Sequence, residues 1–122
     1  MQSNKKLPIG QLTTDLSTHN IIITTAVSIT TNTTDSNGYS QNGKNVMISN
    51  GASPITITCR SDSATNFVAS YTKLGLGAIT FAATIDCTLV LMDATTVLNG
   101  QVGSTACLTR TGNTYYLNIS NK

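Results

Sequence analysis

The chain has 122 residues, of which 39% are hydrophobic and only 10% charged, with a formal net charge of +2. That length accommodates one domain with one modest core. The charge is too small and too scattered for a nucleic-acid footprint, which needs clustered Lys and Arg, and no window approaches the roughly 20 apolar residues of a membrane helix.

Thr, Ser and Asn make up about 38% of the residues, and Glu is absent. Helix surfaces draw on Glu, Lys, Gln and Ala, whereas Thr favours strands and Asn and Gly favour turns. The expectation is an all-β protein with a neutral, hydrogen-bonding exterior.

In chain order, residues 1–20 read as an extended, polar N-terminal arm carrying the small apolar motif Leu7-Pro8-Ile9-Gly10-Gln11-Leu12 beside Lys5 and Lys6. Pro8 keeps Leu7 extended. The arm lacks the apolar run of a secretory signal, so the chain is expected to be made and folded in a cytoplasm. Residues 21–122 form the expected knob. It opens on a long strand with Ile21, Ile23, Val27 and Ile29 on one face. Asn37-Gly38 and Asn42-Gly43 then mark a polar turn region.

Short strands follow at Val46–Ile48, Ile55–Cys59, Phe67–Lys73 and Ile79–Ala83. Further apolar segments cover Thr88–Met92, Thr95–Leu98, Thr105–Arg110 and Tyr115–Ile119. Eight or nine strands at 8–12-residue spacing suit a sandwich or barrel, and no internal repeat at solenoid periods stands out. The predicted architecture is an antiparallel β-sandwich or jelly-roll-like module.

Chemistry-bearing residues are sparse. Gly75 and Gly77 open no dinucleotide fingerprint, because the third glycine's place is taken by Thr80 and a strand pattern follows. His19 belongs to no motif. The five carboxylates Asp15, Asp35, Asp62, Asp86 and Asp93 read as surface or turn residues. No Cys-x-x-Cys or Cys/His spacing suggests zinc. Cys59, Cys87 and Cys107 follow the alternation of their neighbours and are expected as free core thiols. Asn32-Thr33-Thr34 and Asn118-Ile119-Ser120 match glycosylation acceptors by chance in so Asn-rich a chain. The reading is therefore of a protein that is not an enzyme and takes no cofactor or metal. On the last strand Tyr115 is expected to point inward and Tyr116 outward with Asn118, where the outward pair could contact a glycan or a neighbouring subunit.

Three stretches, "GKNVMISNGASPITITC", "FVASYTKLGLGAITFAA" and "LNGQVGSTACLTRTGNTYYLNIS", together resemble a small β-module of bacteriophage virion proteins, found in tail fibres and in head fibres or capsid decorations. Gly75, Gly77, Thr80 and Phe81 fill its first pattern, and Gly100, Gln101, Leu108, Gly112 and Asn113 its second. Tyr115 stands where a Trp is usual, Asp86-Cys87 stands where a Gly-containing turn is common, and the glycine usual after the closing strand is missing. The resemblance covers about the last eighty residues.

It implies a virion structural protein assembled in the host cytoplasm, a homotrimer that binds other virion proteins, with no nucleic-acid or membrane partner. Size favours a head fibre or capsid decoration docked through Lys5, Lys6, Leu7, Ile9 and Leu12. The alternative is a tail-fibre or receptor-binding module recognising host surface glycans. Gly75, Gly77, Gly100 and Gly112 are expected as structural turn glycines, the first two as positive-φ or bulge positions.

Overall fold

The computed structural model describes residues 19–122. The arm motif from Lys5 to Leu12 lies outside them. Ten strands are present: β1 Asn20–Thr24, β2 Ile29–Thr30, β3 Lys44–Ser49, β4 Ile55–Cys59, β5 Val68–Lys73, β6 Ile79–Ala83, β7 Thr88–Leu91, β8 Val97–Leu98, β9 Thr105–Thr111 and β10 Thr114–Ser120. They form a six-stranded sheet in the order β1-β3-β5-β9-β10-β7 and a four-stranded sheet in the order β2-β4-β6-β8.

The all-β expectation holds, but the antiparallel sandwich does not. β1, β3 and β5 pair in parallel, as do β2, β4 and β6. The chain therefore winds as a β-solenoid of three coils, each giving one strand to either sheet. Ile21, Val46 and Tyr71 lie in register, 25 residues apart at each step. Ile29, Ile57 and Phe81 also lie in register on the opposite wall, 28 and then 24 residues apart. Antiparallel pairing begins only after the third coil, where β9 returns beside β5, β10 beside β9, and β8 beside β6. β7 then adds in parallel to β10.

The two sheets bury their inward residues against each other. Ile21, Ile23, Val46, Ile48, Tyr71, Leu108, Tyr115 and Leu117 come from one wall, and Ile29, Ile55, Ile57, Cys59, Ile79, Phe81 and Leu98 from the other. Tyr71 meets Phe81 edge-on with ring centroids 5.4 Å apart, and Phe67 meets Tyr115 at 6.0 Å. Such edge contacts between rings add to simple burial.

The predicted strand from Ile21 to Ile29 is in fact two strands in different sheets. Thr25 breaks it, its hydroxyl donating to the Val27 carbonyl at 2.9 Å and accepting from the Val27 amide at 3.1 Å. This local bonding competes with a continuous ladder and leaves Val27 exposed. The cysteine expectation also divides. Cys59 is buried and Cys87 half-buried against the core, but Cys107 is exposed, because Ala106 and Leu108 take the inward positions on either side of it.

Gly75 and Gly77 are turn glycines for a different reason from the one expected. Neither has a positive φ. A Cβ on Gly75 would lie 2.5 Å from the Gly51 carbonyl oxygen, and one on Gly77 would collide with the backbone of Ser53. They are needed because two successive coil corners press together backbone to backbone. Gly100 is confined in the same way: a Cβ there would lie 2.5 Å from the Ser104 hydroxyl and 2.7 Å from the Lys122 carbonyl oxygen. Gly112, at φ 59°, is the left-handed turn residue joining β9 to β10.

Buried polar side chains hold the corners. Asn50 donates through Nδ2 to the carbonyls of Ser53 at 2.6 Å and Gly77 at 3.1 Å, tying one corner to the next. Arg110 is 6% exposed and donates to the carbonyls of Ser61, Ser63, Ala64 and Gly112 while its guanidinium lies over Tyr115. The Tyr115 hydroxyl donates to the Arg60 carbonyl at 2.6 Å. The loop between the second and third coils is thereby fixed to the closing hairpin.

Candidate interaction surface

Strand alternation sends every second residue of the six-stranded sheet outward, and the register arranges these residues in ranks that run across the strands. One rank is Ile22, Met47, Thr72, Thr105 and Ser120. The next is Asn20, Asn45, Ser70, Cys107 and Asn118. A third is Val68, Thr109, Tyr116 and Val90. None of these residues is acidic or basic. Lys44 and His19 belong to no rank, but line a shallow groove with Asn45, Val68, Ser70, Cys107 and Thr109.

Three members of the second rank are linked by side-chain hydrogen bonds. Asn45 donates to Asn20 Oδ1 at 3.0 Å, and the Ser70 hydroxyl donates to Asn45 Oδ1 at 2.8 Å. Such bonds fix the amides as an ordered lattice. Apolar positions interrupt this polar surface: Ile22 is 54% exposed and Val68 48%.

Tyr116 and Asn118 share the outer side of β10, with Tyr115 buried behind them, as the alternation predicted. The structure adds the neighbours that a linear reading does not supply. Thr109 and Val90 flank Tyr116, and Cys107 flanks Asn118. The four glycines named from the sequence do not join this face; they sit at corners and turns.

Three charged side chains lie together on the loops that follow β4 and β6. Arg60 bonds both oxygens of Asp62, at 2.8 and 2.9 Å, and Asn32 also donates to Asp62 at 2.8 Å. These donors hold the Asp62 carboxyl down at about 2. Asp86 accepts from the hydroxyls of Ser61 and Thr84, each at 2.5 Å, which lowers its pKa as well. Asp35 accepts from the amides of Asn37 and Tyr39, and Asp93 accepts from the amide of Ile119. All four described carboxylates thus stabilise loops or turns. Asp15 lies outside the described residues.

Among the described residues no group of three His, Cys, Asp or Glu is placed to hold a metal ion, and no helix is long and apolar enough to cross a membrane. Comparison with known proteins finds no matching family model, no matching curated protein and no matching solved structure.

Proposed function

We propose that this protein is a structural subunit of a bacteriophage particle, a head fibre or capsid decoration. In this reading the β-solenoid body forms a trimeric knob, and residues 1–20 anchor it through Lys5, Lys6, Leu7, Ile9 and Leu12. The observation that carries the reading is the uncharged outer face of the six-stranded sheet, set on a body whose corners are locked by buried amides and a buried guanidinium. A subunit built into a larger particle needs a stiff frame and a surface that neighbours can approach without like-charge repulsion.

The motifs behind the virion resemblance also have structural work in this fold. Gly75 and Gly77 permit the close stacking of corners, and Gly112-Asn113 closes the β9–β10 hairpin. Partners are then other copies of the chain and other virion proteins, and the place of action is the virion.

One observation favours a second reading, a tail-fibre or receptor-binding module for host glycans. Tyr116 and Asn118 present an aromatic ring and an amide side by side on an exposed strand face. Ring stacking with amide hydrogen bonds suits a sugar.

Gold-labelled antibody against the chain, applied to intact particles, tests the first reading; a glycan array probed with the purified protein tests the second. Regular labelling of heads without glycan binding supports the head role. Glycan binding lost in Tyr116→Ala, with no label on heads, replaces it with the receptor-binding role.

A further inference from the structure

The outer face of the six-stranded sheet is broad, ordered and open, and its chemistry narrows the choice of partner. A charged partner finds no counter-charge on the outward positions of the five strands β1, β3, β5, β9 and β10. A wholly apolar partner would strip water from Asn45, Ser70, Thr72, Thr105, Thr109 and Asn118 without replacing their hydrogen bonds, which is costly. Amides and hydroxyls both donate and accept. A surface made of them, with Ile22, Val68, Tyr116 and Val90 interspersed, is complementary to itself.

We infer that this face is the contact between copies of this chain, the partner being another copy seated on the same ranks of Thr, Ser and Asn. Self-complementarity lets the same face serve every copy of a symmetric assembly, whether two copies pair face to face or three turn this face toward a shared axis. Size is consistent with that. Six strands about 4.8 Å apart, each offering about 20 Å of length, present roughly 600 Å². A standard interface takes about 800 Å² from each partner. The face therefore supplies most of a stable contact. Ser70 and Cys107 lie at its centre, so Cys107 becomes covered when copies meet.

This deepens the structural-subunit reading and rests on it for its purpose, but its test needs no particle. Light scattering on the full chain, over about 1 to 100 µM, should give a molar mass that rises to two or three times the 12.8 kDa of one chain. Thr109→Lys should raise the dissociation constant at least about a hundredfold, since it buries an unpaired charge. Thr58→Lys, on the outer side of the four-stranded sheet, should leave the constant within about threefold. Circular dichroism checks that both variants keep the fold. In the unaltered chain, maleimide labelling of Cys107, located by mass spectrometry, should slow as concentration rises. A monomer across the whole range overturns the inference. So does a multimer indifferent to Thr109→Lys, or one whose Cys107 labels at the monomer rate. A multimer that behaves as expected while heads carry no label overturns the virion reading and leaves this contact standing.

Discussion

The Tyr71 hydroxyl donates to Gln41 Oε1 at 2.6 Å, and both side chains are fully buried. Gln41 Nε2 donates in turn to the carbonyls of Thr30 and Thr33, each at 2.9 Å. One side chain from the loop between the first two coils thus joins the third coil to the end of the first. Tyr71→Phe preserves the ring packing on Phe81 but leaves an amide oxygen without a donor. The expected loss is about 1–3 kcal/mol, read as a lowered urea midpoint with an unchanged slope. No loss would mean that the loop is free to re-pair.

Glycine at the coil corners predicts an ordering of substitutions. Gly77→Ala must push its methyl into the Ser53 backbone, which only separation of the corners can relieve. It should cost about 3 kcal/mol or prevent folding. Gly112→Ala meets no neighbour and suffers only its left-handed backbone, a cost of about 1 kcal/mol. Thermal melts of the two variants decide the matter, and equal losses would refute close corner packing.

Acid should act first on the charged loops. The Asp62 carboxyl is lowered from 3.8 to about 2, chiefly by the Arg60 hydrogen bonds and then by Asn32. A lowered carboxylate stabilises the fold fully above its unfolded value and loses that contribution as pH falls through the folded one. The loss therefore runs from about pH 4 down to about pH 2. Carbon-13 titration of Asp62 should show its low midpoint, and Arg60→Ala should move that midpoint up toward the ordinary value. An unmoved midpoint would exclude the ion pair as the cause.

The three thiols should react in the order of their placement. Cys107 is exposed and should label within minutes in dilute solution at neutral pH, with Cys87 slower. Cys59 is fully buried, and burial, with a smaller effect of Cys87, pushes its thiol up to about 12. It should react only in denaturant, because the thiolate is the reactive form. Rapid native labelling of Cys59 would contradict the core arrangement.

Strand content was legible in the sequence because alternation reports which residues face inward whatever lies beside them. Ile55-Ile57-Cys59 and the Tyr115–Ile119 strand appear as expected. Direction and partner were not legible. The 25-residue step places Ile21, Val46 and Tyr71 in one column, but a buried column asks only for apolar bulk, so no common letter marks the repeat. The loops between coils also differ in length, which blurs the period.

Of the candidate interaction face, Tyr116 and Asn118 were readable from their own strand. Thr72, Thr109 and Cys107 were not, since they join that face only through pairing with β5, β9 and β10. Gln41, Asn50 and Arg110 look like ordinary surface residues in a linear reading. Only the fold shows them bonded to backbone carbonyls inside the molecule.

The most direct test of the structural-subunit account is the protein content of gradient-purified particles, compared between phage carrying the full chain and phage carrying a chain that lacks residues 1–12. The account predicts the full chain at fixed stoichiometry in the particle band, and the shortened chain folded but left at the top of the gradient. Particles without the full chain, or fully decorated by the shortened one, would contradict it.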